Sequence, residues 1–249
     1  MLGKYQIIHL QTVDSTNVYA ASLIKSEKVE EGTIVWAQEQ TSGKGQGDNL
    51  WESEPDKNLT FSWILFPFFL PPSHQFLLNK AISLGVYDFI NNFILEGTVS
   101  IKWPNDIYLE NNKLGGILIS NTICGEVFES AIVGIGLNIN QMRFGKEIQN
   151  PVSLKQLLGY EVSLQSGLET LINNLDYRYQ QLRSGAHEIL RNDYRKHLSG
   201  YQQCRKFMVG NQTFEGKIDG VDEYGRLVVI SRKNESRIFN HGEIEFLFT

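Results

Sequence analysis

The 249 residues are 41% hydrophobic and 20% charged with only six prolines, which allows a large buried core and excludes a chain disordered throughout. Lys plus Arg number 23 against 28 Asp plus Glu, and the net charge of −5 argues against nucleic acid or an anionic membrane as the main partner, since both demand basic surface. The two cysteines, Cys124 and Cys204, stand far apart in no metal-ligand spacing, so neither a disulfide framework nor a zinc site is encoded.

The chain opens without a basic start leading into an apolar stretch, so no secretory leader is read and the expected location is cytoplasmic. Asp14-Ser15-Thr16-Asn17 is a natural N-cap cluster, followed by a helical pattern with Tyr19, Ala20, Leu23 and Ile24 on one face. β-Branched and aromatic runs predict strands at Thr33–Gln38 and Leu59–Leu65. The apolar run from Leu59 to Leu70 is far short of the roughly 20 residues a membrane span needs, and Pro67, Pro71 and Pro72 punctuate it. A second helix starts after Pro71-Pro72-Ser73, with Phe76, Leu77, Ala81, Leu84 and Phe89 as its stripe. Further strands are expected at Val99–Lys102, Asp106–Leu109, Leu114–Ser120 and Val127–Asn138, with Asn111-Asn112 as a hairpin turn. Strands paired as hairpins, with few helices between them, predict an α+β fold rather than a doubly wound parallel sheet.

After Pro151 the pattern changes to helices: a short one at Ser153–Leu158 closed by Gly159, then Leu164–Leu198 as two helices meeting at Ser184-Gly185. From Arg205 onward only short strands are read, at Phe207–Val209, Thr213–Val221, Arg226–Ser231, Ser236–Phe239 and Ile244–Phe248. These last residues, about 45 in number, make a small antiparallel barrel that must pack on a larger body. The expected division is a domain over residues 1–200 and a small one over 205–249.

Three segments look unlike scaffolding. Gln40-Thr41-Ser42-Gly43-Lys44-Gly45-Gln46-Gly47-Asp48 follows a strand and reaches Trp51; its glycines admit an anion close to backbone N–H groups, with Lys44 supplying charge. It lacks the GxxxxGK[ST] spacing of a P-loop. Lys102-Trp103-Pro104-Asn105-Asp106 places an amide and a carboxylate at a sharp turn, and Lys113 lies across the hairpin from Asp106. Gly115-Gly116 inside an apolar strand marks the close approach of a ligand or another backbone. The third is Gly134-Ile135-Gly136-Leu137-Asn138-Ile139-Asn140, a glycine-punctuated strand leading to two asparagines.

Together, in this order, Asp14–Asn17, Gln40–Trp51, Lys102–Asp106, Lys113–Leu118 and Gly134–Asn138 resemble the motifs of the biotin–protein ligases over nearly the whole chain. The KWPND and KLGGIL segments are the most specific part. The resemblance implies a mixed sheet flanked by helices, as in class II aminoacyl-tRNA synthetases, with an SH3-like C-terminal barrel. It also implies a two-step reaction. ATP and biotin, with Mg2+, give biotinyl-adenylate and pyrophosphate, and a lysine of a carboxylase's biotin carboxyl carrier domain then attacks the mixed anhydride. Two anions must meet in the first step, so Lys113 and Lys44, with magnesium, are the cations implied. Ser15, Thr16, Asn17, Gln40, Gly43, Lys44, Gly45, Lys113, Gly115 and Gly116 are the implied biotin contacts. Gln46, Trp51, Asn105, Lys113 and Asn138 are the implied nucleotide contacts, Trp51 as the adenine-packing aromatic. Asp106 is expected to position the carrier amine or help take its proton.

The family's loop is arginine-rich, whereas this one has Lys44, Gln46 and Asp48, which loses the bidentate fork of an arginine. With Asp14 so early and an acidic net charge, no DNA-binding activity is expected, and the chain is read as a monomer or homodimer. The rival readings are a lipoate or octanoate protein ligase, whose R-R-x-x-G-G-G loop and H-D pair are absent here, and a non-catalytic biotin or adenylate sensor.

Overall fold

Runs of Val, Ile, Leu and aromatic residues at every second position build the central strands of a seven-stranded sheet in the computed structural model, which describes residues 5–26, 29–47, 49–94, 99–145 and 150–247. In chain order its strands are β1 (Ile7–Val13), β2 (Ile34–Gln40), β5 (Leu59–Leu65), β6 (Val99–Lys102), β7 (Asp106–Leu109), β8 (Asn112–Cys124) and β9 (Val127–Leu137). Two short strands, β3 (Gly43–Lys44) and β4 (Leu50–Trp51), pair with each other alone. The spatial order is β1-β2-β5-β9-β8-β7-β6; β1 runs parallel to β2 and every other pairing is antiparallel, so the sheet is mixed.

The pairing register gives the sheet two unlike faces. Ile34, Trp36, Leu59, Phe61, Trp63, Val133, Ile135 and Leu137 project to one side and join the main core with α2 (Gln75–Asn91), α4 (Leu164–Arg183) and α5 (His187–Lys196). Helix α2 is wrapped on nearly all sides; Gly85 lets α4 approach so closely that a Cβ there would stand 2.9 Å from the Leu175 Cα. On the other face, Val35, Ile64 and Ile132 pack against Ala20 and Leu23 of α1 (Thr16–Ser26), which covers half of it. The uncovered half carries the candidate site.

Beyond the sheet, α3 (Leu154–Leu158) shows why short helices form where they do: Ser153 and Gln156 cap each other reciprocally, and Gly159 ends the helix at φ 78°. Gly185, at φ 80°, separates α4 from α5 as the sequence indicated. The C-terminal strands β10 (Cys204–Val209), β11 (Gln212–Val221), β12 (Leu227–Ser231), β13 (Ser236–Phe239) and β14 (Glu245–Leu247) run in the order β13-β12-β11-β10-β14. This is the small antiparallel β-unit expected at the C-terminus, and among the described residues its outer strands β13 and β14 do not pair with each other.

Phe207, Ile218, Leu227, Val229 and Phe239 extend the main core into that sheet. Trp103 Nε1 donates to the Gly225 carbonyl at 2.9 Å, fixing the β6–β7 turn against it. Tyr194 donates to the Pro104 carbonyl at 2.7 Å from the helix side. No helix of the described residues is long and apolar enough to cross a membrane.

Candidate functional site

Residues opposite one another in a ladder point to the same face, so the register places Ala37, Thr60, Gly136, Gly116 and Asp106 in one row across the open face. Ser62 and Gly134 lie in the next row. Three of these positions are glycines, and each is filled by a side chain from elsewhere. A Cβ at Gly134 would strike the Asn17 amide, and one at Gly136 would enter the Trp51 indole. A Cβ at Gly116 would stand 3.1 Å from Asp106 Oδ1 and 3.7 Å from Lys113 Nζ. The glycines therefore bring three distant motifs together on bare backbone.

The Asp14–Asn17 segment is tied to this floor by polar contacts. Thr16 donates its backbone N–H and its hydroxyl to Gln40 Oε1, at 2.8 and 3.0 Å. Ser62 Oγ lies 2.8 Å from Thr16 Oγ1 and 2.5 Å from Asn17 Oδ1, its single proton serving one acceptor at a time. Asn17 Nδ2 reaches the Leu118 carbonyl at 3.2 Å, and Ser15 is buried beneath. Ser62 is a site residue that the sequence reading passed over, because a lone serine in an apolar strand carries no motif signal.

At the far end, Lys113 Nζ and Asp106 Oδ2 form an ion pair at 2.8 Å, their side chains 28% and 26% exposed. Simple alternation from Gly116 would send Lys113 to the core side. A bulge intervenes: Ile107 faces Gly115 while Tyr108 faces Lys113, and the extra residue, Leu114, is buried in the core. Lys102, which the sequence reading left without a role, pairs with Asp106 at the mouth of the β6–β7 hairpin. Its Nζ donates to the Tyr108 hydroxyl at 3.3 Å and lies 4.9 Å from the Tyr108 ring and 5.8 Å from the Phe246 ring. Burial holds the Lys102 ammonium below the usual lysine range, with Asp106 opposing the shift and Lys113 adding to it. Burial, reinforced by Asp106, pushes the Tyr108 phenol above its usual range.

The other sequence candidates are placed as follows. Gly115 faces away from the cleft: a Cβ there would run into Leu137 and the Gly136 carbonyl, so its close approach is to a neighbouring backbone. Asn105 donates to the Ile117 carbonyl within β8, and Asn138, just past β9, to the Val152 carbonyl at 3.1 Å, so both amides are engaged with backbone. The loop of the first motif is itself a hairpin: Gly43 pairs with Trp51, Lys44 with Leu50, and Gly45 donates to the Asn49 carbonyl at 2.8 Å. Lys44 and Gln46 stand exposed on it, and Asp48 lies outside the described residues. Trp51 Nε1 is buried without an acceptor among the described residues. An aromatic plane on a glycine floor, a tethered polar corner and a cation–carboxylate pair on one sheet face can hold an anionic ligand carrying a flat ring.

Two family models match the chain: the biotin/lipoate A/B protein ligase family over residues 9–138, and the biotin protein ligase C terminal domain over residues 202–247. The bifunctional ligase/repressor BirA of Bacillus subtilis is 26% identical over 246 residues, covering 96% of this chain and 74% of that protein. The biotin–[acetyl-CoA-carboxylase] ligase of Mycobacterium tuberculosis is 27% identical over 230 residues, covering 90% and 83%. Among solved structures, the biotin protein ligase from Aquifex aeolicus in complex with biotin and ATP superposes with a TM-score of 0.79 at 24% identity, over 98% of this chain and 99% of that one.

Proposed function

The chain belongs to the biotin/lipoate A/B protein ligase family, and from that premise we propose that it is a biotin–protein ligase, which activates biotin with ATP and passes it to a lysine of a biotin carboxyl carrier domain. The observation that carries the reading is the Lys113–Asp106 ion pair at the end of a glycine floor that also seats Trp51 and Asn17, the latter beside the Thr16–Gln40 corner. The match of residues 202–247 to a biotin protein ligase C terminal domain supports biotin over lipoate as the acid.

A carboxylate and an α-phosphate repel each other, so adenylation needs cations where they meet. Lys113, in its ion pair with Asp106, is the first cation of this reading, and Lys44, exposed on the β3–β4 hairpin, is the second. Thr16, Asn17 and Gln40 form the polar corner for the ureido ring, and Trp51 the stacking surface for adenine. The β3–β4 hairpin would keep water from the anhydride. Among the described residues no three metal-ligating side chains converge. Magnesium, when bound with ATP, would supply further positive charge against the phosphates, and Asp106 is the carboxylate of the cluster that could help hold it.

The test supplies ATP and magnesium with biotin, lipoate or octanoate in separate reactions, measures pyrophosphate, and then adds a carrier domain. Release with biotin alone, followed by a mass gain on one carrier lysine, is the expected result. Biotin binding without pyrophosphate release would instead make the chain a sensor, and release with lipoate would move it to the other branch of the family. Asp106→Asn should slow transfer to the carrier more than adenylation, and Lys113→Ala should suppress pyrophosphate release.

A further inference from the structure

The second step poses a problem that Asp106 alone does not solve. A carrier lysine of pKa about 10.4 is an ammonium in all but roughly one molecule in a few thousand at pH 7, and an ordinary carboxylate is a weaker base than its amine by a factor of about a million. Asp106 can attract that ammonium, but it is a poor acceptor for the proton.

Lys102 stands where a better acceptor is needed. It is the hairpin partner of Asp106, on the same face as Gly116 and Lys113. The Tyr108 ring and hydroxyl and the Phe246 ring of the C-terminal sheet form walls around it, and among the described residues Asp106, Tyr108 and Lys113 are charged or titratable groups that face it. Lys113 already holds Asp106 at 2.8 Å, so the cluster has one carboxylate between two lysines.

We propose that Lys102 takes the proton of the incoming carrier lysine, with Asp106 as the anionic post that gathers that amine beside it. The inference rests on the ligase reading and deepens its second step. The proton passes from the carrier ammonium to Lys102 Nζ. The freed lone pair then attacks the acyl carbon, the bond from that carbon to the phosphate oxygen breaks, and AMP leaves with the electron pair. The nitrogen's second proton goes to the departing phosphate. Burial and the neighbouring Lys113 shift Lys102 toward its neutral amine, while Asp106 opposes the shift. The aromatic wall from Phe246 also gives the C-terminal sheet a part in the transfer step.

The experiment is a single turnover from enzyme preloaded with biotinyl-adenylate, mixed either with the carrier domain or with hydroxylamine, a nucleophile that is neutral at pH 7. Lys102→Met and Lys102→Arg should each lose about 100-fold toward the carrier lysine and less than tenfold toward hydroxylamine. Arginine keeps the charge but does not release a proton, so it should not rescue. Carrier transfer by either variant should climb steadily with pH toward the range where the carrier amine is itself neutral, while the wild-type rate levels off earlier. Full rescue by arginine, or equal losses toward both nucleophiles, would overturn the assignment. A wild-type chain that releases no biotin-dependent pyrophosphate would overturn the ligase reading itself, a result separable from either of these.

Discussion

Gly115 and Gly116 are adjacent, yet the register sends them to opposite faces, so the same substitution should do opposite things. A Cβ at residue 115 would lie 2.6 Å from the Gly136 carbonyl oxygen and inside the contact shell of Leu137. Both are fixed: the carbonyl belongs to the β8–β9 ladder, and Leu137 is fully buried. Overpacking of this kind costs about 1–3 kcal/mol, and replacing a strand glycine returns about 0.5–1 kcal/mol. With backbone as the obstacle the upper range applies, and Gly115→Ala should lose about 2 kcal/mol, or about 4–8 °C in Tm for a chain of this size. At residue 116 the nearest atoms are the ends of Asp106 and Lys113, at 3.1 and 3.7 Å, which can yield by a few tenths of an ångström. Gly116→Ala should therefore stay within about 1 kcal/mol of wild type while disturbing the ion pair. A displacement of about 1 Å costs about 100-fold in rate, so a few tenths should cost about 3–10-fold. Thermal unfolding by circular dichroism and carrier biotinylation at 25 °C read the two quantities. Equal losses of Tm in both variants, or full transfer activity in Gly116→Ala, would refute the assignment of faces.

Three further outcomes follow from the same structure. Ser62→Ala removes the buried hydroxyl shared by Thr16 and Asn17, which should cost about 1–3 kcal/mol of stability and raise KM for biotin about tenfold; an unchanged KM would detach that corner from the acid substrate. Burial lowers the Lys80 pKa to about 8 from 10.5, so between these pH values the unfolded chain holds a proton that the folded chain has released, and stability rises with pH by about 3 kcal/mol across that window. Lys80→Met should flatten that rise in urea midpoints measured against pH, and a slope that survives the substitution would contradict the burial account. Arg178 bridges Asp88 of α2 and Asp193 of α5 at 2.6 and 2.8 Å, so Arg178→Met strands two carboxylates and should cost about 3–5 kcal/mol, while adenylation at 25 °C, on the other face of the sheet, holds; a loss of activity without a loss of Tm would contradict this.

Where hydrophobic pattern and burial coincide, the fold was legible. Leu59–Leu65, Val99–Lys102 and Asp106–Leu109 form strands over the expected residues, and Gly159 closes α3 as read, with Ser153 its N-cap rather than its first helical residue. Pattern and burial part company at β1, whose residues are only partly buried or exposed because it is an edge strand held by its parallel pairing with β2. The same is true of the outer end of β8. Asn121–Cys124 are exposed and stay in the strand through ladder bonds to β9, which hydrophobicity does not report. The C-terminal strands were legible one by one, but their spatial order β13-β12-β11-β10-β14, which brings the last strand beside β10, is encoded by no local pattern.

The site was legible as a set of residue types and opaque as an arrangement, for a reason that Lys113 makes plain. Strand alternation counted back from Gly116 assigns Lys113 to the core and Leu114 to the cleft, a charge where none can be tolerated and an apolar side chain where a cation is needed. The extra residue in β8 reverses both assignments, burying Leu114 and delivering Lys113 to Asp106. The bulge thus relieves the desolvation cost that strict alternation would impose on Lys113, and the ion pair at 2.8 Å is what it places in the cleft. The same register step is what residue types do not reveal: Lys102 lay within a motif the sequence singled out but without a role, Ser62 lay in none, and pairing alone brings both to the same face.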